Sequence, residues 1–362
     1  MKIIKIHLYA LALLLTITTA CQNKKDKEDM NEPKFEYEAT ANAPLGYPIE
    51  VYKGGLESKS SFSGLSIGIA TGKAGWGETG RSMGSSKATV PNRLNLIWMS
   101  YTEATLYSID CAIDHEKMVK LFKEGYPSYA SFLGFGRREK DYYDTIITGF
   151  APGGVVVIWL YGVGKQVEIG RYQGVKTKVS QAEINTLDNH DRLLFDESWR
   201  EGIMSNTSII PLVTQEANKN KLIPYGLWDT YREKYYWRPT AIVQNEGKME
   251  RFAFDMYNGE KDKLFDESFI KNEFVKRATP NGFSMSWKDK AGQRYAGIAD
   301  FDENEIFAAF QEIYKDNKEG KVEIEFRVSS FNDDLTVRLK GNDKEIALVK
   351  CKIDVFKSSK KY

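Results

Sequence analysis

The chain has 362 residues, 42% of them apolar and 13% aromatic, with 51 Lys and Arg against 50 Asp and Glu. So even a balance excludes the strongly basic surface of a nucleic-acid-binding protein. The length exceeds one typical domain, and the aromatic content can fill two cores, so two structural units are expected.

The N-terminal segment MKIIKIHLYALALLLTITTACQN opens with Lys2 and Lys5 and continues with an apolar run from Ile6 to Leu15, broken only by His7. Thr18, Thr19 and Ala20 then lead into Cys21. That order is the pattern of a secretory signal with a small-residue processing site. The run is shorter than the roughly 20 apolar residues a spanning helix needs. A cysteine directly after the small residues resembles the lipobox of bacterial lipoproteins, departing from it at Thr18, where Leu is usual. The resemblance implies acylation of Cys21 and a membrane-tethered envelope protein. Residues 1–21 are read as signal peptide. Residues 22–34, QNKKDKEDMNEPK, are read as a flexible tether, since they hold almost nothing apolar. No Asp follows Cys21, which favours the outer membrane and leaves open which face the protein occupies. Loss of Lys2 and Lys5 with the signal leaves 49 basic and 50 acidic side chains, a net charge of −1.

The remainder reads as a duplication. IDHEKMVKLFKEGY (113–126) parallels FDENEIFAAFQEIY (301–314), aligning Asp114 with Asp302, Phe122 with Phe310 and Tyr126 with Tyr314. In the same order Tyr52 aligns with Tyr257, Trp98 with Trp287, Tyr107 with Tyr295 and Leu160 with Leu339. The separation between counterparts shortens along the chain, as it would if loops of the first copy were longer. Each copy reads as three strands, a helix and three strands. The helix carries apolar residues at 118, 119, 122 and 126, a stripe at helical spacing. Adjacent strands with one helix laid across them predict an α+β fold of two tandem antiparallel-sheet repeats. The predicted bounds are 35–175 and 237–356, with an aromatic-rich connector over 176–236 packing between them. Ser180 and Glu183 form a capping-box pattern that starts a helix in that connector.

Chemical motifs are sparse. Gly75-Trp-Gly77-Glu-Thr-Gly80 has the glycine spacing of a dinucleotide loop, but Gly84 and Pro91 follow where a helix should begin, so nucleotide binding is rejected and an exposed loop expected. His115 and His190 are read as solvated surface, too few for a zinc site. Asp114 and Asp302 are read as helix caps. Trp98, Trp287, Tyr52 and Tyr257 are read as core aromatics. Cys111 and Cys351 are either bridged or two free thiols. No catalytic residue, metal or cofactor is assigned. Residues 57–92 and 127–142 are present only in the first copy, and loops on a rigid scaffold are common sites of function. Trp76, Arg81, Tyr129, Phe132, Arg137 and Arg138 are therefore the candidate partner surface.

The segments APLGYPIEVYKGGL (43–56), GWGETG (75–80), LIWMSYTEATLY (96–107) and APGGVVVIWLYG (151–162) resemble the bacterial lipoprotein family catalogued as domain of unknown function 2931. The second half, with YGLWDTYREKYYWRP, resembles its long Bacteroidetes-type members, and the likeness is expected over most of 35–355. The family supplies no activity to transfer. The expectation is a noncatalytic, lipid-anchored envelope protein that binds another protein, of immunity or assembly type. The alternatives are a glycan-binding protein or a carboxylate-dependent envelope hydrolase.

Overall fold

The computed structural model describes residues 32–128, 139–244 and 246–358. The first half contains β1 (Lys34–Asn42), β2 (Ile49–Glu57), β3 (Phe62–Gly64), β4 (Ile69–Ala70), β5 (Ser86–Thr89), β6 (Arg93–Ser100) and β7 (Thr105–Ala112). Helix α1 (His115–Glu124) follows, then β8 (Tyr126–Pro127), β9 (Lys140–Asp141), β10 (Thr145–Ala151), β11 (Val155–Gly162), β12 (Lys165–Gln173) and β13 (Val175–Thr177). A connector of short helices comes next: α2 (Gln181–Thr186), α3 (Asn189–Leu193), α4 (Glu197–Ser205), α5 (Leu212–Asn218) and α6 (Leu227–Thr230). The second half contains β14 (Lys234–Val243), β15 (Lys248–Met256), β16 (Lys261–Leu264), α7 (Asp266–Lys271), β17 (Val275–Ala278), β18 (Pro280–Lys288) and β19 (Arg294–Asp300). It ends with α8 (Glu303–Tyr314), β20 (Lys321–Val328), β21 (Leu335–Gly341), β22 (Lys344–Leu348) and β23 (Lys352–Lys357).

The fold is α+β and dominated by sheet. The halves share a pairing order. In the first, β1 lies parallel to β10 and antiparallel to β5, β10–β11–β12 form a meander, and β2, β6, β7 and β13 pair in sequence. In the second, β14 lies parallel to β20 and antiparallel to β17, β20–β21–β22 form a meander, and β15, β18, β19 and β23 pair in sequence. The sheets are thus mixed rather than purely antiparallel. In each half the first strand lies beside one that follows the main helix, β10 after the short β8–β9 pair in the first and β20 directly after α8 in the second, a return long enough to permit parallel pairing. A single pairing, Gln166 with Lys261, joins β12 to β16 and extends one sheet to ten strands across both halves.

Both main helices begin where the sequence places their caps. The Asp114 carboxylate accepts from Lys117 N–H and that of Asp302 from Glu305 N–H. Ser180 caps α2 by accepting from Glu183 N–H. Trp98 and Trp287 are buried, and each stacks on the tyrosine opposite it in the next strand, Tyr107 at 5.4 Å and Tyr295 at 6.0 Å between ring centroids. Tyr52 and Tyr257, by contrast, are half-buried and not equivalent in position. Tyr52 sits in the β2 bulge and Tyr257 lies beyond the end of β15; Glu250 is the residue in the matching β15 bulge.

Strands β11 and β21 show why the two halves present different surfaces. In β11, Val156, Ile158 and Leu160 face the first core, while Val155, Val157 and Trp159 face a second apolar cluster with Trp228 and Tyr231 of the connector. A strand covered on both faces reads as a continuous apolar run, here VVVIWLYG. In β21 only Leu335, Val337 and Leu339 are buried, and Arg338 and Lys340 alternate with them toward a ladder of charge with Glu325 and Glu345. The connector accounts for the difference. Trp228 meets Tyr47 and Trp76 of the first half, and Tyr231 meets Tyr257 and Phe307 of the second.

Candidate functional site

The outer face of β2, β6 and β7 carries Tyr52, Met99, Tyr101 and Leu106, and α3 and α4 cover it with Leu194, Ile203 and Met204. Asp188 and Asp196 cap these helices through their first free N–H groups. NHDR (189–192) is therefore helical, not the polar loop its composition suggests. Short helices laid over a twisted sheet leave clefts at their margins.

One is a groove of about 550 Å³ between α5 and the start of β2. Its floor is Tyr47, Met204 and Ile210, and Leu212, Leu222 and Ile223 stand at its rim. Leu222 is 93% exposed and Val213, beside Leu212, 73%. Gly46 lets α5 approach, since a Cβ there would lie 2.6 Å from Asn218 Nδ2. Lys219 and Lys221 flank the groove and Glu216 is its one lining acid. Such a mixture of apolar floor and few polar groups is the ordinary character of a binding site. The neighbouring Glu103 holds the margin together. It accepts from Tyr107 Oη at 2.7 Å, Tyr225 Oη at 3.1 Å and Gly153 N–H at 3.2 Å. Nothing in the polar composition of 176–226 pointed to the groove, although the isolated apolar pairs Leu212-Val213 and Leu222-Ile223 were a legible signal.

A second cleft of about 240 Å³ is lined by Glu50, Tyr52, His190, Asp191 and Trp199. Tyr101 Oη donates to Glu50 at 2.5 Å, and Glu183 accepts from Tyr52 Oη at 3.0 Å and from Lys53 Nζ at 2.6 Å. Burial, reinforced by Glu183, pushes the Tyr52 phenol up to about 12. Lys53 and Tyr52 hold Glu183 below the usual carboxylate range. The phenol is thus a hydrogen-bond donor and the carboxylate an ionised acceptor that holds both Tyr52 and Lys53.

A third cleft, of about 350 Å³, lies over the glycine-rich loop and includes Arg81. The expected exposed loop is in fact half interior. Trp76 packs edge-on against Trp159 at 5.0 Å and also against Trp228, so its ring belongs to the seam between the halves and is not free surface. Asn42 holds the loop down, donating to Gly75 C=O at 3.0 Å and accepting from Gly77 N–H at 2.9 Å. Glu78 pairs with Lys261 of the second half. Arg81 remains exposed. Tyr129, Phe132, Arg137, Arg138 and Cys21 lie outside the described residues. His115 is half-buried, its Nδ1 3.3 Å from Pro91 C=O. Cys111 and Cys351 are free thiols in different halves of the molecule.

No helix among the described residues is long and apolar enough to cross a membrane. Comparison with curated proteins and with solved structures finds no match. The family match covers the first half, most of the connector and the clefts between them, and stops short of the second half, where likeness was also expected. Matching that family's model over residues 20–226, the chain belongs to the family described as "Protein of unknown function (DUF2931)".

Proposed function

We propose that this is a lipid-anchored envelope lipoprotein, acylated on Cys21, that works as a noncatalytic protein-binding module of immunity or assembly type. The observation that carries the reading is the groove beside α5, with Leu212 and Leu222 held out to solvent at its rim and exposed Val213 next to Leu212 in the chain. Exposed apolar side chains gathered at one concavity mark interaction sites. Lys219 and Lys221 against Glu216 favour a partner segment that is apolar on one face and acidic at its edge. The tether expected over 22–34 would let the groove meet a membrane-associated partner. The outer membrane is the proposed location. The body is proposed to be two tandem α+β repeats, 35–175 and 237–356. The paired strand order and the stacked pairs Trp98–Tyr107 and Trp287–Tyr295 support that reading.

The test places a photo-crosslinking residue at Leu222 in the full chain and expresses it in the envelope. A crosslinked protein whose purified form binds the chain, with affinity lost in Leu222→Asp and Leu212→Asp, supports the module. Crosslinks to lipid alone, or none, overturn it. Lipidation is tested separately, by labelling with an alkyne fatty acid. Label that persists in Cys21→Ser sinks the anchor.

A glycan ligand is the second reading, favoured by Trp199, 38% exposed, beside Glu50 and Asp191 in the smaller cleft. A tryptophan-fluorescence titration with envelope glycan fragments, repeated on Trp199→Ala, decides it.

A further inference from the structure

We infer that the cleft over the glycine-rich loop is a binding site for a phosphate monoester. Two cations, Lys73 and Arg81, line it, together with the hydroxyls of Thr71, Thr79 and Ser208, and no Asp or Glu lines it at all. Nearby acids are already engaged: Glu78 with Lys261 and Glu38 with Ser82 Oγ. Among the described residues no ion pair joins Lys73 or Arg81 to a carboxylate, and both side chains belong to the cleft lining. The Arg81 head lies close to Gly68. Its Nη1 would lie 3.9 Å from a Cβ on Gly68, which forms the opposite wall.

The loop is built to keep this shape. Gly72 has φ +69, and a Cβ on it would meet Ala43 C=O at 2.4 Å. A Cβ on Gly80 would meet Ala41 C=O at 2.2 Å. The chain is therefore pressed onto the end of β1 at Gly80 and onto Ala43 just beyond it at Gly72, and Asn42 pins it between. A guanidinium fork and a lysine point charge, with hydroxyl donors around them, match the oxygens of a phosphate dianion. The volume exceeds that of a bare phosphate, and Ile67, Ile69 and Ala70 line the rest. The ligand class is therefore a phosphate ester with a small organic part resting on those apolar groups. Its phosphate could be free in solution or carried on a lipid headgroup, and the chemistry of recognition is the same.

The experiment is isothermal titration of the full chain with inorganic phosphate and with glycerol 3-phosphate, beside sedimentation with phosphatidylcholine vesicles containing or lacking phosphatidic acid. The ester is expected to bind more tightly than inorganic phosphate. Arg81→Gln and Lys73→Gln are each expected to weaken binding roughly tenfold or more, as loss of a charge-assisted contact should. Lys87→Gln, an exposed lysine outside the cleft, is expected to leave binding unchanged. Binding of the soluble ester identifies a free ligand. Binding only to phosphatidic acid vesicles, with the same sensitivity to Arg81→Gln, identifies a headgroup. No binding of any of these up to ~10 mM, or equal losses in Lys87→Gln, overturns the site.

Discussion

Gly77 and Gly259 meet backbone to backbone where the two halves of the molecule join: a Cβ on Gly77 would stand 2.8 Å from the Gly259 Cα. Both lie in the left-handed region, at φ +80 and +87. Around them Gln166 Nε2 donates to Gly77 C=O at 2.7 Å and Trp159 Nε1 to Asn258 C=O at 3.0 Å. The seam is thus a close main-chain contact rimmed by buried polar side chains, which admits no extra atom.

Gly77→Ala is expected to destabilise the protein by about 2 kcal/mol or more, combining left-handed strain with displacement of the opposing backbone. Gly84→Ala is the control, because Gly84 has φ +103 but nothing within 4 Å of its Cβ. Urea unfolding of both variants checks the difference. Equal losses would mean that the seam yields freely.

The connector is fastened to the first half by an ion pair. Glu168 is 8% exposed and accepts from Arg232 Nη2 at 2.8 Å and Nε at 3.0 Å. Arg232→Met strands that carboxylate and is expected to cost about 3 kcal/mol. Adding Glu168→Gln should recover part of the loss, as a double-mutant cycle would show. A single-variant effect near zero would remove this pair from the account of how the connector is held.

Acid should weaken the second half at Glu250. Burial raises its carboxyl, but hydrogen bonds from Arg294 at 2.6 Å and Lys288 outweigh that and hold it below the ordinary glutamate value. With the folded value depressed, the unfolded chain holds more protons between the two values. The stability contributed is therefore present above the unfolded value and lost as pH falls through the folded one. Glu250→Gln should be less stable at neutral pH and show a shallower acid dependence. Urea midpoints measured from pH 7 downward test this, and parallel curves for the two proteins would contradict it.

The two thiols should be slow to react. Burial, with Glu305 and Asp302 nearby, pushes Cys351 up to about 12, and burial with Asp110 raises Cys111. Since the thiolate is the reactive form, residues 33–362 should titrate two thiols with Ellman's reagent promptly only after unfolding. Prompt reaction in the native state would reveal local opening. Finding no thiols at all would reveal a bridge.

The candidate sites divide by how they are made. Arg81 stands in a polar, glycine-rich insertion that is conspicuous in sequence, and it is exposed at the third cleft. Trp76, four residues before Gly80, differs: local composition makes the loop look solvated, but Trp159 and Trp228, which pack against its ring, are far away in the chain. The groove escaped notice because Tyr47, Met204 and Leu222 come from three separate segments.

What the sequence determined by itself was local. Asp114, Asp302 and Ser180 set helix starts because a cap needs only the next few N–H groups. Trp98 and Trp287 were legible as core because strand alternation places them on one face. The tertiary structure alone decided that β1 and β14 lie parallel to β10 and β20. It alone decided that β11 is covered on both faces while β21 keeps a charged one, and that Gly77 meets Gly259. Those outcomes depend on which distant surfaces exclude water together, and a burial energy shared between remote segments leaves no periodic mark on either one.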